Sequence, residues 1–227
     1  MEKAADNDLR YERKFVTTEL SPTEIELTLK LHPVLFREIY YPRHVNNIYF
    51  DSEEMDSYYE NVGGIADRKK IRVRWYGELY QDVETPFLEF KHKRSAVGFK
   101  ERFKLQSFRF DKSFSPSVIQ SCLRDSEVPH HALSNQRPVL VNRYYRKYFL
   151  SACNRFRITI DSELEAGTVS VAARTGLHRL SRDSKCVIEL KYDRQWDNSA
   201  PKISSSMFER INKSSKYVSG VDALGIL

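Results

Sequence analysis

Short segments that alternate between charged and apolar residues dominate this chain. In one of them Arg72 and Arg74 are separated by Val73, and Ile71 and Trp75 flank the pair. Because successive side chains of a β-strand point to opposite faces, this period of two predicts a strand with one charged and one apolar face. The same alternation recurs along most of the chain. Five further predicted strands each have such a charged face. The residues on these faces, strand by strand, are Glu12 and Lys14; Glu89, Lys91 and Lys93; Lys100, Arg102 and Lys104; Arg155, Arg157, Thr159 and Asp161; and Glu189 and Lys191.

Four segments carry helix signals instead. Ser21-Pro22-Thr23-Glu24 is a capping box with Pro at the first helical position, and it predicts a helix through about Leu31. Ser52-Glu53-Glu54 predicts a short helix that Gly63-Gly64 ends, Ser115-Pro116 opens a third, and a fourth is predicted near 206–213. Strands with occasional helices, without regular βαβ alternation, predict an antiparallel α+β protein.

The charged faces have two interpretations. In antiparallel sheets a charged face ordinarily meets solvent. These faces, however, carry mainly Arg and Lys, with few carboxylates and little Ser, Thr or Gln, and such crowding costs repulsion unless an anion binds among the charges. A sheet that closes with this face inward would enclose a basic channel. Such a channel suits a chain of phosphates, since Arg offers a fork of donors and Lys a point charge.

The carboxylates on these faces also have two interpretations. They would repel a polyanion unless a divalent metal joins them to it, and Mg²⁺ and Mn²⁺ favour carboxylate and phosphate oxygens together. Glu189 and Glu89, each two residues before a Lys, are therefore candidate metal ligands. The alternative is a salt bridge to a neighbouring Lys or Arg. The sequence contains no P-loop, no G-x-G-x-x-G and no H-E-x-x-H motif.

Length and composition further limit the classes of protein to which this chain can belong. The 227 residues, 41% of them hydrophobic, suit one domain covering 1–227, and 37 Lys and Arg against 31 Asp and Glu favour anionic partners. Three widely spaced cysteines predict neither a disulfide framework nor a zinc site. The start lacks a signal peptide and no apolar run is long enough to span a bilayer, so we expect a cytoplasmic protein without a membrane segment. Aromatic residues lie mostly on the apolar faces, and nucleic-acid binding is not expected.

Nine segments, in order, resemble the catalytic domain of the vacuolar transporter chaperone (VTC) family, the polyphosphate polymerases. That domain belongs to the triphosphate tunnel metalloenzymes, together with CYTH-type adenylate cyclases and thiamine or inorganic triphosphatases. The resemblance implies an eight-stranded antiparallel β-barrel, the triphosphate tunnel, with helices packed on the outside. The matching segments are 11–15, 46–51, 70–77, 87–93, 99–103, 144–149, 155–161, 187–192 and 214–220.

The resemblance also implies roles for matching positions. Arg72, Arg74, Lys91, Arg146 and Arg157 resemble catalytic basic residues, and Tyr144-x-Arg146 fits the family's Y-x-R motif better than Arg143 does. Glu189 resembles the metal-binding glutamate, and Glu89 and Glu12 join it as candidate ligands of Mn²⁺ or Mg²⁺. The candidate substrate-binding residues are Lys14, Lys93, Lys100, Arg102, Lys104, Lys191, Ser215 and Lys216.

One departure bears on the reaction. Arg10 stands where the E-x-E-x-K signature of the wider superfamily has its first Glu, which favours the polymerase branch. The resemblance then implies transfer of the γ-phosphate of ATP to a growing polyphosphate chain. The alternatives are an inorganic or nucleoside triphosphatase on the same fold, and a non-catalytic polyphosphate- or nucleotide-binding module. The family's N-terminal phosphate-sensing domain and membrane helices have no counterpart in the sequence, so coupled export would require a membrane partner.

Overall fold

Strands make up most of the architecture. The structure, a computed structural model, describes residues 10–94, 97–123, 126, 128, 130–169, 181–205, 207 and 211–227. Its elements in chain order are β1 (Arg10–Thr17), α1 (Pro22–Leu31), β2 (Arg37–Asp51), α2 (Asp56–Val62), β3 (Asp67–Tyr76), β4 (Gln81–Val83), β5 (Phe87–Arg94), β6 (Val97–Lys104), β7 (Phe108–Phe110), α3 (Pro116–Leu123), β8 (Arg137–Leu150), β9 (Arg157–Thr168), β10 (Ser181–Asp183), β11 (Cys186–Asp193), α4 (Ala200–Ser204) and α5 (Lys216–Leu224).

Eight of the strands follow one another around a ring. The antiparallel order is β9-β11-β1-β6-β5-β3-β2-β8, and β8 pairs again with β9. The seam between β1 and β6 is a single residue pair, Arg10 with Gly98, so the ring is barely joined there. Strand β10 extends the sheet beside β9, and β4 pairs with β7 in a small separate sheet. The prediction of an antiparallel α+β protein built on eight strands is confirmed.

The charged strand faces point into the ring. Residues opposite each other in register share a face, and the register places Lys14 opposite Glu189, Arg72 opposite Glu89 and Arg146 opposite Asp161. The apolar faces lie outside. There Trp75 packs with residues of β7 and α3, while a second cluster on the β9–β11 side packs beneath α1. Burial of the apolar faces under outer helices therefore leaves the lysines and arginines facing one another across a lumen.

Helix α1 begins at the predicted capping box. Ser21 Oγ accepts a hydrogen bond from the Glu24 amide, and the Ser21 amide donates to Glu24 Oε2 over 2.8 Å. Ile25 and Leu29 are buried against the ring. Helix α3 also lies where the sequence predicts it, with Ile119 and Cys122 on its buried face.

Helix α2 begins at Asp56, later than the predicted start near Ser52. The reason is Asp51, at the end of β2, whose buried carboxylate accepts hydrogen bonds from the amides of Ser57 and Tyr58. The helix ends before Gly63, as predicted. Of the helix predicted near 206–213, positions 206 and 208–210 lie outside the described residues, and 211–213 are not helical.

Helix α5 was not predicted, because its residues were assigned only to a family motif. Ser215 caps its start by accepting a hydrogen bond from the Val218 amide, and Gly225 ends it with a φ of 59°. Gly220 lets the helix approach the sheet closely, since a Cβ there would lie 2.7 Å from Leu140 Cδ2. This packing carries Ser215 and Lys216 to one end of the lumen.

All three cysteines are free, with Cys122 and Cys186 buried and Cys153 exposed. Within the described part of the chain, no helix has the length and apolar character needed to cross a membrane.

Candidate functional site

Glu89 is the centre of one ionic cluster in the lumen. Its side chain is 1% exposed, and its Oε2 accepts two hydrogen bonds from the Arg72 guanidinium, at 2.9 and 2.7 Å. Lys100 Nζ lies 3.0 Å from Oε1, while Arg102 and Arg74 lie within 3.8 Å of the carboxylate. Burial alone would raise the pKa of Glu89, but the charges of Arg72, Arg74 and Lys100 hold it well below its ordinary value.

A second cluster joins β8, β9, β11 and α5. Both Asp161 oxygens accept from the Arg146 guanidinium, and Lys216 Nζ lies 2.6 Å from Asp161 Oδ2. Glu189 has Lys191 at 3.0 Å and both Lys216 and Arg146 at 3.5 Å. Burial opposes ionisation of Glu189, yet Lys191 and Lys216 keep the pKa of this carboxyl well below its ordinary value. The structure thus brings Lys216, far along the sequence, to the predicted metal-binding glutamate.

Glu12 lies beside Glu189, since Lys14 contacts both carboxylates. Lys14 and Lys91 each place an ammonium nitrogen 3.3 Å from one of its carboxylate oxygens. Glu12 Oε1 is buried and accepts no hydrogen bond from the described residues. Burial and the charge of Glu189 oppose ionisation of Glu12, but the charges of Lys91 and Lys14 hold its pKa well below the ordinary value. Lys14 lies 3.6 Å from Glu189 as well. Glu12 and Glu189 are therefore two neighbouring carboxylates, and Glu12 Oε1 has the Lys14 ammonium 3.3 Å away but no hydrogen bond from the described residues.

Lys70 belongs to the lumen but was not among the predicted site residues. It precedes Arg72 by two positions on β3, and its Nζ donates to Ser215 Oγ over 2.8 Å. Burial, followed by the charges of Lys14 and Lys91, lowers the pKa of Lys70 to about 6. The sequence signal was present, since the period of two that selects Arg72 and Arg74 also selects Lys70.

Other lumen cations are also incompletely neutralised. Glu12 raises the pKa of Lys91, but burial and the charge of Lys14 outweigh it and lower that pKa to about 8. Burial and the charges of Arg68 and Lys14 lower the pKa of Lys93. The remaining predicted positions also lie on the charged face, with Arg157 opposite Lys191 and Lys104 opposite Phe87. The lumen holds more cationic groups than its carboxylates neutralise.

Uncharged polar side chains orient the two arginines of β3. Arg72 donates to the Tyr49 hydroxyl, while Arg74 donates to Asn47 Oδ1 over 2.8 Å and to the Tyr144 hydroxyl over 3.1 Å. Burial would raise the pKa of Tyr144, but the charges of Arg146 and Arg74 outweigh it and lower this pKa. Asn47 and Tyr49 were missed as site residues, although their spacing of two already placed them on one face.

Two arginines of the matching segments lie elsewhere. Arg155, expected on a strand face, precedes β9 and stacks on the Trp196 ring, with its Cζ 3.9 Å from the ring centroid. Arg143 lies 3.2 Å from the exposed Glu78, while Arg146 lies in the lumen.

Two neighbouring carboxylates in the lumen could hold a divalent metal ion. Mg²⁺ commonly uses one or two carboxylates and completes its coordination with water and substrate phosphates. Glu12 and Glu189 fit this donor set, since they adjoin and Glu12 Oε1 accepts no hydrogen bond from the described residues. Glu89 fits less well because four cations surround it. Across the described residues, no group of three or more His, Cys, Asp or Glu side chains is arranged to hold a metal ion.

Solved structures with the same fold cover almost the whole chain. The PH1819 protein from Pyrococcus horikoshii OT3 is 13% identical, with a TM-score of 0.52 over 94% of this chain and 98% of that one. HpAC1 from Hippeastrum, an adenylyl cyclase candidate described as having a dominant triphosphatase activity, is 12% identical, with a TM-score of 0.50 over 96% of each chain. At these identities the likeness shows the fold alone. It is the CYTH-like, triphosphate tunnel fold.

Sequence comparison identifies the family. The sequence model of the VTC domain matches residues 9–225, and the chain therefore belongs to the VTC domain family. The chain is 24% identical over 229 aligned residues to vacuolar transporter chaperone complex subunit 4 of Schizosaccharomyces pombe. That alignment covers 79% of this chain but only 32% of the relative, so the chain spans about a third of the relative's length.

Proposed function

We propose that this chain is a polyphosphate polymerase that transfers the γ-phosphoryl group of ATP to the end of a polyphosphate chain. The observation that carries the proposal is the surplus of cations in the lumen. Lys70, whose pKa is lowered to about 6, stands among other ammonium groups without a carboxylate in hydrogen-bond contact among the described residues. A chain of phosphates would relieve this repulsion along the whole lumen.

Phosphoryl transfer depends mainly on positioning and on neutralisation of charge. A terminal oxygen of the polyphosphate chain forms a bond to the γ-phosphorus as the bond from that phosphorus to the bridging oxygen breaks, and ADP leaves with the bonding electrons. We assign the holding of donor and acceptor phosphates to Arg72 and Arg74 on β3, and to Arg146 on β8 with Lys216 on α5. Their guanidinium groups are already oriented by Tyr49, Asn47 and Asp161.

We propose Glu189 and Glu12 as the residues that hold Mn²⁺ or Mg²⁺. When bound, the ion supplies positive charge to phosphate oxygens that the lysines and arginines do not reach. We assign Glu89 the different role of fixing Arg72, Arg74 and Lys100, because it already lies within 4 Å of each of them.

A triphosphatase is the second candidate. The described triphosphatase activity of HpAC1, which shares the fold, favours it. The same cations would hold an inorganic or nucleoside triphosphate, and water would replace the phosphate chain as the attacking group. A non-catalytic polyphosphate- or nucleotide-binding module is a third outcome, but carboxylates such as Glu12 and Glu189 weaken anion binding unless a metal joins them to the ligand.

One incubation separates these functions. The purified chain is mixed with ATP and Mn²⁺, and the phosphate products are resolved by size. Long phosphate chains together with ADP support the polymerase. Free phosphate without chains supports the triphosphatase, and unchanged ATP with measurable binding supports the binding module.

We further propose that residues 1–227 act as one domain on cytoplasmic ATP and assemble with a membrane partner. The similarity to a subunit of the vacuolar transporter chaperone complex supports such an assembly.

A further inference from the structure

Aromatic rings interrupt the charged face at one end of the lumen. Phe87 is the first residue of β5 and lies two positions before Glu89, so its side chain shares the inward face. Tyr76 is the last residue of β3 and lies two positions after Arg74. Arg74 is opposite Phe87 in register, which makes Tyr76 and Phe87 diagonal neighbours. Both rings are half-buried, and both lie at the end of the lumen away from Ser215.

Each ring has an arginine guanidinium over its face. Arg102 Cζ lies 3.4 Å from the centroid of the Phe87 ring, and Arg43 Cζ lies 4.0 Å from that of Tyr76. Nucleobases are commonly bound by stacking on aromatic rings and on the planes of arginine guanidinium groups. A bare phosphate chain has no flat face to stack, so a phenylalanine in its path adds nothing to its binding.

Arg102 connects the rings to the ionic part of the lumen. Its Nε lies 3.8 Å from Glu89 Oε1, while its guanidinium covers Phe87. Its side chain is 39% exposed, so a ligand can reach it from solvent. A group stacked at Phe87 and Arg102 would therefore lie directly beside the phosphate-binding set of Arg72, Arg74 and Lys100.

We propose that Phe87 and Arg102, with Tyr76 and Arg43 beside them, form a subsite for the nucleobase of the donor. The base stacks at this end, and its phosphates run inward toward Arg72 and Arg74. This inference rests on the proposed function in one respect, that a nucleoside triphosphate is the donor. It adds a means of distinguishing ATP from an inorganic triphosphate, which the lysines and arginines of the lumen would bind through the same phosphate oxygens.

The test measures the binding of two ligands, each of which carries a chain of three phosphates. The full chain is titrated calorimetrically with ATP and with inorganic triphosphate, both with Mg²⁺. Phe87→Leu keeps the apolar bulk and removes the ring, and we expect ATP binding to weaken about tenfold, since stacking of one base is worth about 1–3 kcal/mol. Triphosphate binding should change less than about twofold, as expected for a contact that contributes only stacking. Phe87→Trp should restore ATP binding.

Phe99→Leu is the matched control. Phe99 lies on the outer face of β6, where it stacks on His92, so its loss should leave the affinity ratio of the two ligands unchanged. Equal weakening of both ligands by Phe87→Leu, or no weakening of either, would overturn the base subsite. If the wild-type chain makes no polyphosphate, but Phe87→Leu weakens the binding of ATP and not that of triphosphate, the subsite stands and the polymerase proposal fails. Polymerisation from ATP with no ATP-specific loss in the variant would overturn the subsite and leave the polymerase proposal standing.

Discussion

The ammonium group of Lys70 donates a hydrogen bond to the hydroxyl of Ser215, across 145 positions of sequence and 2.8 Å of space. The contact joins β3 to the first turn of α5. Lys14 reinforces it by donating to the Ser214 carbonyl oxygen over 3.1 Å. Two lysines thus meet the residue that caps α5 and the residue before it, and burial together with the charge of Lys14 disfavours the protonated form of Lys70. An anion bound at this end of the lumen would favour that protonated form.

The first prediction concerns protons taken up on binding. The pKa of Lys70 is lowered to about 6, so at pH 7 this amine is mostly neutral in the free protein. A bound polyanion raises that pKa, and we expect Lys70 to take up close to one proton when inorganic triphosphate binds at pH 7. The uptake is obtained from calorimetric titrations in buffers of different ionisation enthalpy.

Lys70→Met should remove that uptake, whereas Lys69→Met, next to it but on the outer face, should not. The lowered pKa also fixes the sign of the effect on stability. Between pH 6 and the ordinary lysine pKa of about 10.4, the unfolded chain binds the additional proton, so the contribution of Lys70 to the free energy of unfolding rises with pH. Equal proton uptake by the wild-type chain and Lys70→Met would contradict the assignment.

The second prediction separates the two central glutamates. Glu89 lies within 4 Å of four cations for which no other carboxylate contact occurs among the described residues. Glu89→Gln should therefore lower the free energy of unfolding by about 3 kcal/mol, since it leaves buried cations without a partner. Glu189→Gln should lower the free energy of unfolding by less, because Asp161 still forms ion pairs with Arg146 and Lys216. Urea unfolding of both variants measures the difference.

Activity should respond in the opposite order. Glu189→Gln is expected to abolish turnover at every Mn²⁺ concentration while the protein stays folded. Glu89→Gln should keep its metal dependence, with a lower rate from poorly held arginines. Full activity of the Glu189→Gln protein would refute the metal assignment, and loss of metal dependence in Glu89→Gln would make Glu89 a ligand as well.

The extent to which the sequence predicts this site follows from the range of each interaction. Strand faces depend on a period of two, so Arg72, Arg74, Glu89 and Glu189 could each be placed on the charged face of its own strand before any pairing was known. The partners of these residues depend on contacts between distant strands, and no periodicity reveals that Lys216 reaches Asp161. Phe87 was overlooked for a different reason. An apolar residue at the end of a charged face looks like the start of a strand and gives no local sign of a ligand.

The third prediction concerns the anchor of α5. Tyr217 donates to Asp51 Oδ2 over 2.5 Å, and the same buried carboxylate accepts from the amides of Ser52, Ser57 and Tyr58. Asp51→Asn turns an amide NH₂ group toward these donors and should lower the free energy of unfolding by about 2–3 kcal/mol. Tyr217→Phe removes one hydrogen bond and should cost about 1 kcal/mol.

Both variants should also weaken triphosphate binding, because Tyr217 adjoins Lys216. Thermal unfolding with and without triphosphate reports the two effects together. If Asp51→Asn unfolds with the wild-type transition, the network does not hold the helix.

The fourth prediction tests the close approach of α5 to the sheet. A methyl group at Gly220 would lie 2.7 and 3.1 Å from the two terminal carbons of Leu140 and 3.3 Å from Ala166 Cβ. Leu140 is fully buried and has little room to move, so overpacking of about 1–3 kcal/mol should exceed the gain of up to about 1 kcal/mol in helix propensity. Gly220→Ala is therefore expected to be less stable than the wild type, despite its higher helix propensity.

Ser219→Ala, at an exposed position of the same helix, is the control, and its free energy of unfolding should rise slightly or remain unchanged. Because α5 would have to shift away from the sheet, Lys216 would move away from Asp161 and Glu189, and triphosphate binding should fall in Gly220→Ala only. A Gly220→Ala protein that is more stable than wild type and binds triphosphate normally would show that Leu140 yields and that the close approach does not position Lys216.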